Sequence, residues 1–244
     1  YAYYVLGLDL YPWQMDAYRH LDGDASRYLL TCCNEGGKTS MIAAPIAVVH
    51  AETIPGSTCF YTSASDHQIR NQFLPAFRRH ATDARGWTIR EHARQAIYRP
   101  TGSTVFFLKS DDPGKMEGFH ATGSLDGLKS LLVIADEAKS IPDPIYEAIV
   151  RCSATRFLAI SSTSTNNVNW FHTETTAPSS PSNTRRATVS WSDCPHLFHD
   201  PRKRSQIEAE MKQFGLDHPL IRSKYYSEWP SSGKGMVFDM ESVG

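Results

Sequence analysis

Five runs of strand length recur along the chain: RYLLTCC at 27–33, STCFYTSA at 57–64, STVFFLKS at 103–110, SLLVIADEA at 130–138 and RFLAISST at 156–163. Four of them are apolar almost end to end rather than alternating. A strand can be apolar on both sides only when both faces of its sheet are covered, which is the condition of a parallel sheet between helices. Stretches 39–51, 66–80 and 143–151 supply the crossover helices, the second opened by a Ser65-Asp66 pair suited to an N-cap. The predicted class is therefore α/β. Segment 81–102, basic and punctuated by Gly86, Pro100 and Gly102, predicts a hairpin.

The chain has 244 residues, 41% hydrophobic and 21% charged, so a sizeable core needs no staples. The longest apolar run, MIAAPIAVV at 41–49, is far shorter than the ~20 residues of a membrane span, and no membrane association is expected. A net charge of −1 sets up no global field toward a polyanion, so such a partner must meet a local patch. Cys32, Cys33, Cys59, Cys152 and Cys194 contain no CxxC pair, and the ten histidines no HxxH or HExxH spacing. Zinc chemistry and a secreted disulfide framework are both unsupported, and a reducing cytoplasm is expected.

The sharpest local signal is Cys33-Asn34-Glu35-Gly36-Gly37-Lys38-Thr39-Ser40, between a predicted strand and a predicted helix. Phosphate binding needs inward backbone N–H groups, a glycine before a lysine, and a hydroxyl for magnesium. Gly37, Lys38 and Thr39 supply these, although Cys32 stands where GxxxxGK[ST] asks for its first glycine. Next, Leu131–Ala135 ends in Asp136 and Glu137. Asp136 is thereby placed at the carboxyl edge of the sheet to hold Mg2+, and Glu137 is the candidate base for an attacking water. Alone, each pattern also fits an ordinary loop or a solvated strand end; together they indicate a nucleotide hydrolase. Ser161, Ser162 and Thr163 close the following strand, where hydroxyls can report nucleotide state. Gln14, in Tyr11-Pro12-Trp13-Gln14, offers a donor and an acceptor to an adenine edge, which favours ATP.

In this order the segments LGLDLYPWQ, NEGGKTS, YTSASDHQIRNQF, MEGFHATG, LLVIADEAKSIPDPIYEAI, AISSTSTNNVNWFH and VSWSDCPHL resemble the ATPase domain of the phage large terminase subunit over nearly the whole chain. The resemblance implies an additional-strand, RecA-like P-loop ATPase core over 1–175. It further implies a lid or linker subdomain over 176–232 with a mobile Ser/Pro loop, and a linker over 233–244 toward a nuclease domain that the chain does not include. The implied ligands are ATP and Mg2+. Gln14 and residues Asn34, Glu35, Gly36, Gly37, Lys38, Thr39 and Ser40 would bind ATP. Thr39 and Asp136 would hold the metal, Glu137 and Lys38 would be catalytic, and Ser161–Thr163 would couple hydrolysis to motion. Implied partners are double-stranded DNA, neighbouring copies in a ring, the portal and the small terminase subunit, in the host cytoplasm.

Two departures matter. Many terminases carry an arginine inside the loop, where this chain has Asn34 and Glu35. A Glu35 pointing inward would repel a triphosphate, so it is expected to face out or bond a partner. The missing charge would then come from a neighbouring subunit, with Arg151, Arg156 and Lys129 as position-based candidates. Basic residues at Arg70, Arg78, Arg79, Arg85, Arg90, Arg94 and Arg99, at Arg185 and Arg186, and at Arg202, Lys203 and Arg204 are candidates for DNA phosphate contact. Two other readings stand beside the motor. One is the first RecA-like domain of a superfamily 2 helicase, which needs a second lobe that the ~80 residues after Thr163 are too few to form. The other is a non-catalytic nucleotide-gated module.

Overall fold

The computed structural model describes residues 1–23, 26–115, 130–165 and 168–230. MEGFHATG with His120, Lys129 and the 233–244 segment lie outside the described residues. After helices α1 (Ala2–Leu6) and α2 (Pro12–Leu21) comes strand β1 (Ser26–Cys32), then a helix whose first turn, Lys38–Ala43, is π-helical and continues as α3 (Ala44–Thr53). Strand β2 (Thr58–Ser63) leads to α4 (Asp66–Gln68), a π-helical turn at Ile69–Phe73 and α5 (Leu74–Arg78). The expected hairpin is β3 (Trp87–Arg90) and β4 (Gln95–Tyr98), antiparallel to each other, with β4 also antiparallel to β5 (Ser103–Lys109). Then follow β6 (Leu131–Asp136), α6 (Asp143–Arg151), β7 (Arg156–Ser161), α7 (Trp170–Thr176) and β8 (Thr184–Val189). The chain continues through α8 (Pro195–Phe198), α9 (Pro201–Phe214) and α10 (Pro219–Tyr226).

Both π-helical turns end two residues before a proline. Pro45 and Pro75 have no N–H, so Met41 and Asn71 carbonyls cannot be bonded four residues on, and the helix widens there. The Met41 carbonyl is taken instead by the Tyr18 hydroxyl at 2.8 Å, which pins α2 to the start of the α3 helix.

All eight strands form one sheet in the order β3-β4-β5-β2-β6-β7-β1-β8, parallel from β5 to β8. The α/β reading holds, and β7 separates the lysine-loop strand β1 from the acid-bearing strand β6, the additional-strand arrangement. The sheet runs past residue 175: β8, within a stretch expected to belong to the lid, pairs in register with β1 from Arg27↔Thr184 to Cys32↔Val189. Alternate residues feed two separate cores. Tyr28 and Leu30 pack with Ile42, Val48, Tyr61 and Phe73 on one face, while Leu29, Val133, Ala135, Ile145, Phe157 and Phe171 pack on the other. Each fully buried side chain of this kind contributes about 1.5–3 kcal/mol. Among the described residues, no helix is long and apolar enough to cross a membrane.

Candidate functional site

Because β1, β6 and β7 run parallel and in register, with Thr31 opposite Ser161 and Asp136 opposite Ile160, their carboxyl ends open on one edge of the sheet. Residues far apart in sequence meet there. The 33–40 turn is closely built. A Cβ on Gly36 would stand 2.5 Å from Cys32 Sγ and 3.3 Å from the Cys33 carbonyl oxygen, so any side chain there forces its neighbours to shift. Gly37 adopts φ 84°, which an L side chain rarely takes. Lys38 is buried, and its ammonium donates to the Cys33 carbonyl at 2.9 Å and toward that of Cys32 at 3.4 Å.

Thr39 Oγ1 donates to Asp136 Oδ2 at 2.7 Å, Tyr61 OH donates to the same oxygen at 2.9 Å, and the Glu137 N–H donates to Asp136 Oδ1 at 2.9 Å. Burial, with the neighbouring Glu137 charge second, raises the Asp136 pKa to about 6 against the pull of Thr39 and Tyr61. Glu137 itself turns through a left-handed φ of 52° and accepts from Ser161 Oγ at 3.3 Å. The carboxylate, the hydroxyl and the second acid thus share one small space.

Glu35 points away from that space, as charge alone requires. Its carboxylate accepts from Lys203 Nζ of α9 at 2.5 Å, and its carbonyl lies 2.8 Å from His196 Nε2. The Glu35 bond holds the Lys203 pKa above the ordinary lysine value. Asn34 N–H donates to the Lys224 carbonyl of α10 at 3.0 Å. Thr163 Oγ1 lies 2.8 Å from the Glu228 carbonyl oxygen, and Ser223 Oγ donates to the Thr163 carbonyl at 2.9 Å. Both the loop and the end of β7 are therefore tied to the C-terminal helices.

Gln14 is buried, and its Oε1 accepts from Tyr11 N–H at 2.9 Å, capping its own helix. Its Nε2 lies 3.6 Å from the Cβ position of Gly37, so α2 brings it against the lysine loop with its donor end. Arg151 and Arg156 stand at the far edge of the sheet, because α6 returns the chain from the end of β6 to the start of β7. The Arg156 guanidinium is bonded to the Leu21 carbonyl, Ser130 Oγ and the Asp22 carbonyl; Arg151 pairs with Glu147 at 3.8 Å. Of the basic clusters, Arg78, Arg85, Arg94, Arg99, Arg185, Lys203 and Arg204 are held in ion pairs with Glu91, Glu52, Asp66, Asp83, Asp16, Glu35 and Glu208. Arg70, Arg79, Arg90 and Arg202 make no ion pair among the described residues.

Local sequence pattern does not point to Tyr61 or Ser223. Tyr61 looks like one more core aromatic in β2, and only strand order reveals that it stands beside Asp136. Lys139 does carry a signal in its spacing, three residues beyond Asp136 and in the turn that leaves β6, although the sequence reading gives it no role.

Neither family models nor curated proteins match the chain significantly. Solved structures do. The large terminase ATPase domain of Thermus phage P74-26 superposes with a TM-score of 0.65 at 16% identity, covering 93% of this chain and 96% of that one. The large terminase of a thermophilic bacteriophage, in complex with ADP, gives 0.67 at 14%, covering 91% and 54%. The HK97 bacteriophage large terminase gives 0.67 at 16%, covering 91% and 51%, so this chain spans about half the length of those last two. At such identities the likeness establishes a shared fold, that of the phage large terminase ATPase domain.

Proposed function

We propose that this chain is the ATP-hydrolysing motor domain of a viral large terminase, which drives double-stranded DNA into a procapsid. The observation that carries the reading is the meeting of Lys38, Thr39, Asp136, Glu137 and Ser161 at one sheet edge, with β7 between the two motif-bearing strands. The likeness in fold to terminase structures, one of them a complex with ADP, supports it.

In this reading Gly36 and Gly37 let the 34–40 backbone wrap the phosphates, and Lys38 exchanges the Cys32 and Cys33 carbonyls for phosphate oxygens. The Gln14 amide nitrogen meets the adenine edge. Thr39 and Asp136 fit a hard cation: a hydroxyl and a buried carboxylate 2.7 Å apart are the oxygen donors that magnesium prefers. Bound there, Mg2+ would neutralise charge on the phosphate oxygens. Glu137, held by Ser161, orients the attacking water and takes its proton. Thr163, through Ser223 and Glu228, carries the change at β7 to the C-terminal helices.

The working division places the ATPase core through β8 and the lid in the helices after it. Neighbouring copies in a ring would complete the charge around the γ-phosphate. Arg151, with its side chain 65% exposed, is the candidate of the two that can reach a neighbour, since Arg156 is bound by its own chain. DNA phosphates would meet Arg70, Arg79, Arg90 and Arg202, and the portal and small subunit would dock on the assembled ring in the host cytoplasm.

Equilibrium titration with ATP-γ-S and with a GTP analogue, on the parent and Lys38→Ala, tests the reading. The parent is expected to prefer the adenine nucleotide, and Lys38→Ala to bind at least about tenfold more weakly. Absence of nucleotide binding by the parent, or equal binding by Lys38→Ala, would overturn it.

A further inference from the structure

Lys139 opens into the same sheet edge, yet none of the roles above uses it. Its side chain is only 24% exposed. The ammonium donates to Ser162 Oγ at 2.5 Å and toward the Thr163 carbonyl at 3.4 Å, and lies 3.7 Å from Glu137 Oε2. Its backbone N–H points at Ser161 Oγ, 3.4 Å away, whose hydroxyl turns to Glu137 Oε2. Residues 137, 139, 161 and 162 thus close a ring of polar contacts between the turn after β6 and the end of β7.

The turn itself is fixed. Asn169 Nδ2 reaches the carbonyls of Ala138, Lys139 and Ile141 at 3.1, 3.2 and 3.0 Å, so one amide clamps the short 3₁₀ turn that presents Lys139. A lysine at a strand end otherwise keeps its side chain in water, where up to about 2 kcal/mol of rotamer entropy is retained. Here that freedom is given up to place one positive charge between the second acid of β6 and the hydroxyl of the neighbouring strand. A carboxylate on a left-handed residue with a single neutral donor is poorly aimed; a cation that converges with that donor on Oε2 narrows its direction.

We propose that Lys139 is a positioning residue for ATP hydrolysis: it fixes the Glu137 carboxylate against Ser162 and so joins the base to the strand that contacts the lid. The inference rests on the proposed function and deepens it. Lys139 acts through Glu137 and needs no contact with ATP, which separates its signature from that of Lys38.

The experiment measures steady-state phosphate release and ATP-γ-S affinity for the full chain and for Lys139→Met and Lys139→Arg, with melting temperatures alongside. Lys139→Met is expected to lower kcat by about 10–100-fold while KM and ATP-γ-S affinity stay within about threefold. Lys139→Arg, which keeps the charge, is expected to recover most of the loss. A kcat of Lys139→Met within about twofold of a hydrolysing parent overturns the inference and leaves the function standing. Parallel losses of affinity, kcat and melting temperature that arginine does not rescue also overturn it, because they mark a merely structural lysine. A parent that hydrolyses no ATP fails the function itself, and the inference with it.

Discussion

The Thr39 hydroxyl donates to Asp136 Oδ2 across 2.7 Å, joining two turns that stand 97 residues apart in the chain. Asp136 is buried, and its two oxygens accept from Thr39, Tyr61 and the Glu137 N–H. Thr39→Val removes a donor from a buried carboxylate, which is expected to cost about 1–3 kcal/mol of stability. In the proposed function Thr39 would hold magnesium, so Mg2+-dependent phosphate release should fall by about 100-fold or more. Chemical denaturation and a magnesium titration of turnover check the two effects, and removing the metal with a chelator should abolish turnover in the parent.

Cys32 and Gly36 answer the sequence's departure from the usual loop signature. A Cβ on Gly36 meets Cys32 Sγ at 2.5 Å, closer than real contacts allow. Gly36→Ala is expected to destabilise the fold by about 1–3 kcal/mol. Cys32→Ala removes the nearest obstructing atom, so the double variant should recover part of that loss, the remainder coming from the Cys33 carbonyl at 3.3 Å. Denaturant midpoints over the four-protein cycle measure this coupling; additive costs would mean the contact is relieved another way.

His50 makes the fold acid-sensitive from the edge opposite the site. Burial, then the Arg156 charge, pushes its pKa down to about 3, and its Nε2 has no partner among the described residues. The folded state keeps the imidazole neutral while the unfolded chain protonates near pH 6.5, so between pH 6.5 and 3 the unfolded state binds the extra proton. Stability is fully present above pH 6.5 and falls as pH drops, by about 2 kcal/mol at pH 5. His50→Met should remove that slope. Denaturation at pH 5 and pH 7.5 reads it as a smaller difference in the variant than in the parent.

Thr163 and Ser223 hold β7 to α10. Thr163→Val removes the hydroxyl that reaches Glu228, leaving a buried connection without its donor. Amide exchange across 219–226 should quicken, while ATP-γ-S affinity changes by less than about threefold, since the Thr163 hydroxyl is directed to Ser223 and Glu228. Unchanged exchange would show that the bonds from Ser223 to the Thr163 carbonyl and from Asn34 to the Lys224 carbonyl suffice to hold α10 in place.

Much of this is legible before any coordinates. Residues 36–39 and 131–137 betray their geometry because each motif is local: glycine, lysine, hydroxyl and acids lie within a few positions of a strand end. Glu35 can be turned outward on charge alone, although Lys203 as its partner cannot be named. Strand β8 escapes the sequence pattern because TRRATV carries two adjacent arginines and follows a Ser/Pro-rich stretch, and only pairing with β1 makes it a strand. Tyr61 beside Asp136, Lys139 on Ser162 and Thr163 on Ser223 all depend on which elements become neighbours, a long-range outcome that local pattern does not encode.

Glu137→Gln tests the central claim most directly. The substitution keeps size and hydrogen bonding but removes the carboxylate proposed as the base, so single-turnover phosphate release from ATP with Mg2+ should drop by about 10²–10⁴-fold while ATP binding stays close to that of the parent. Release from Glu137→Gln at the parent's rate would contradict the account.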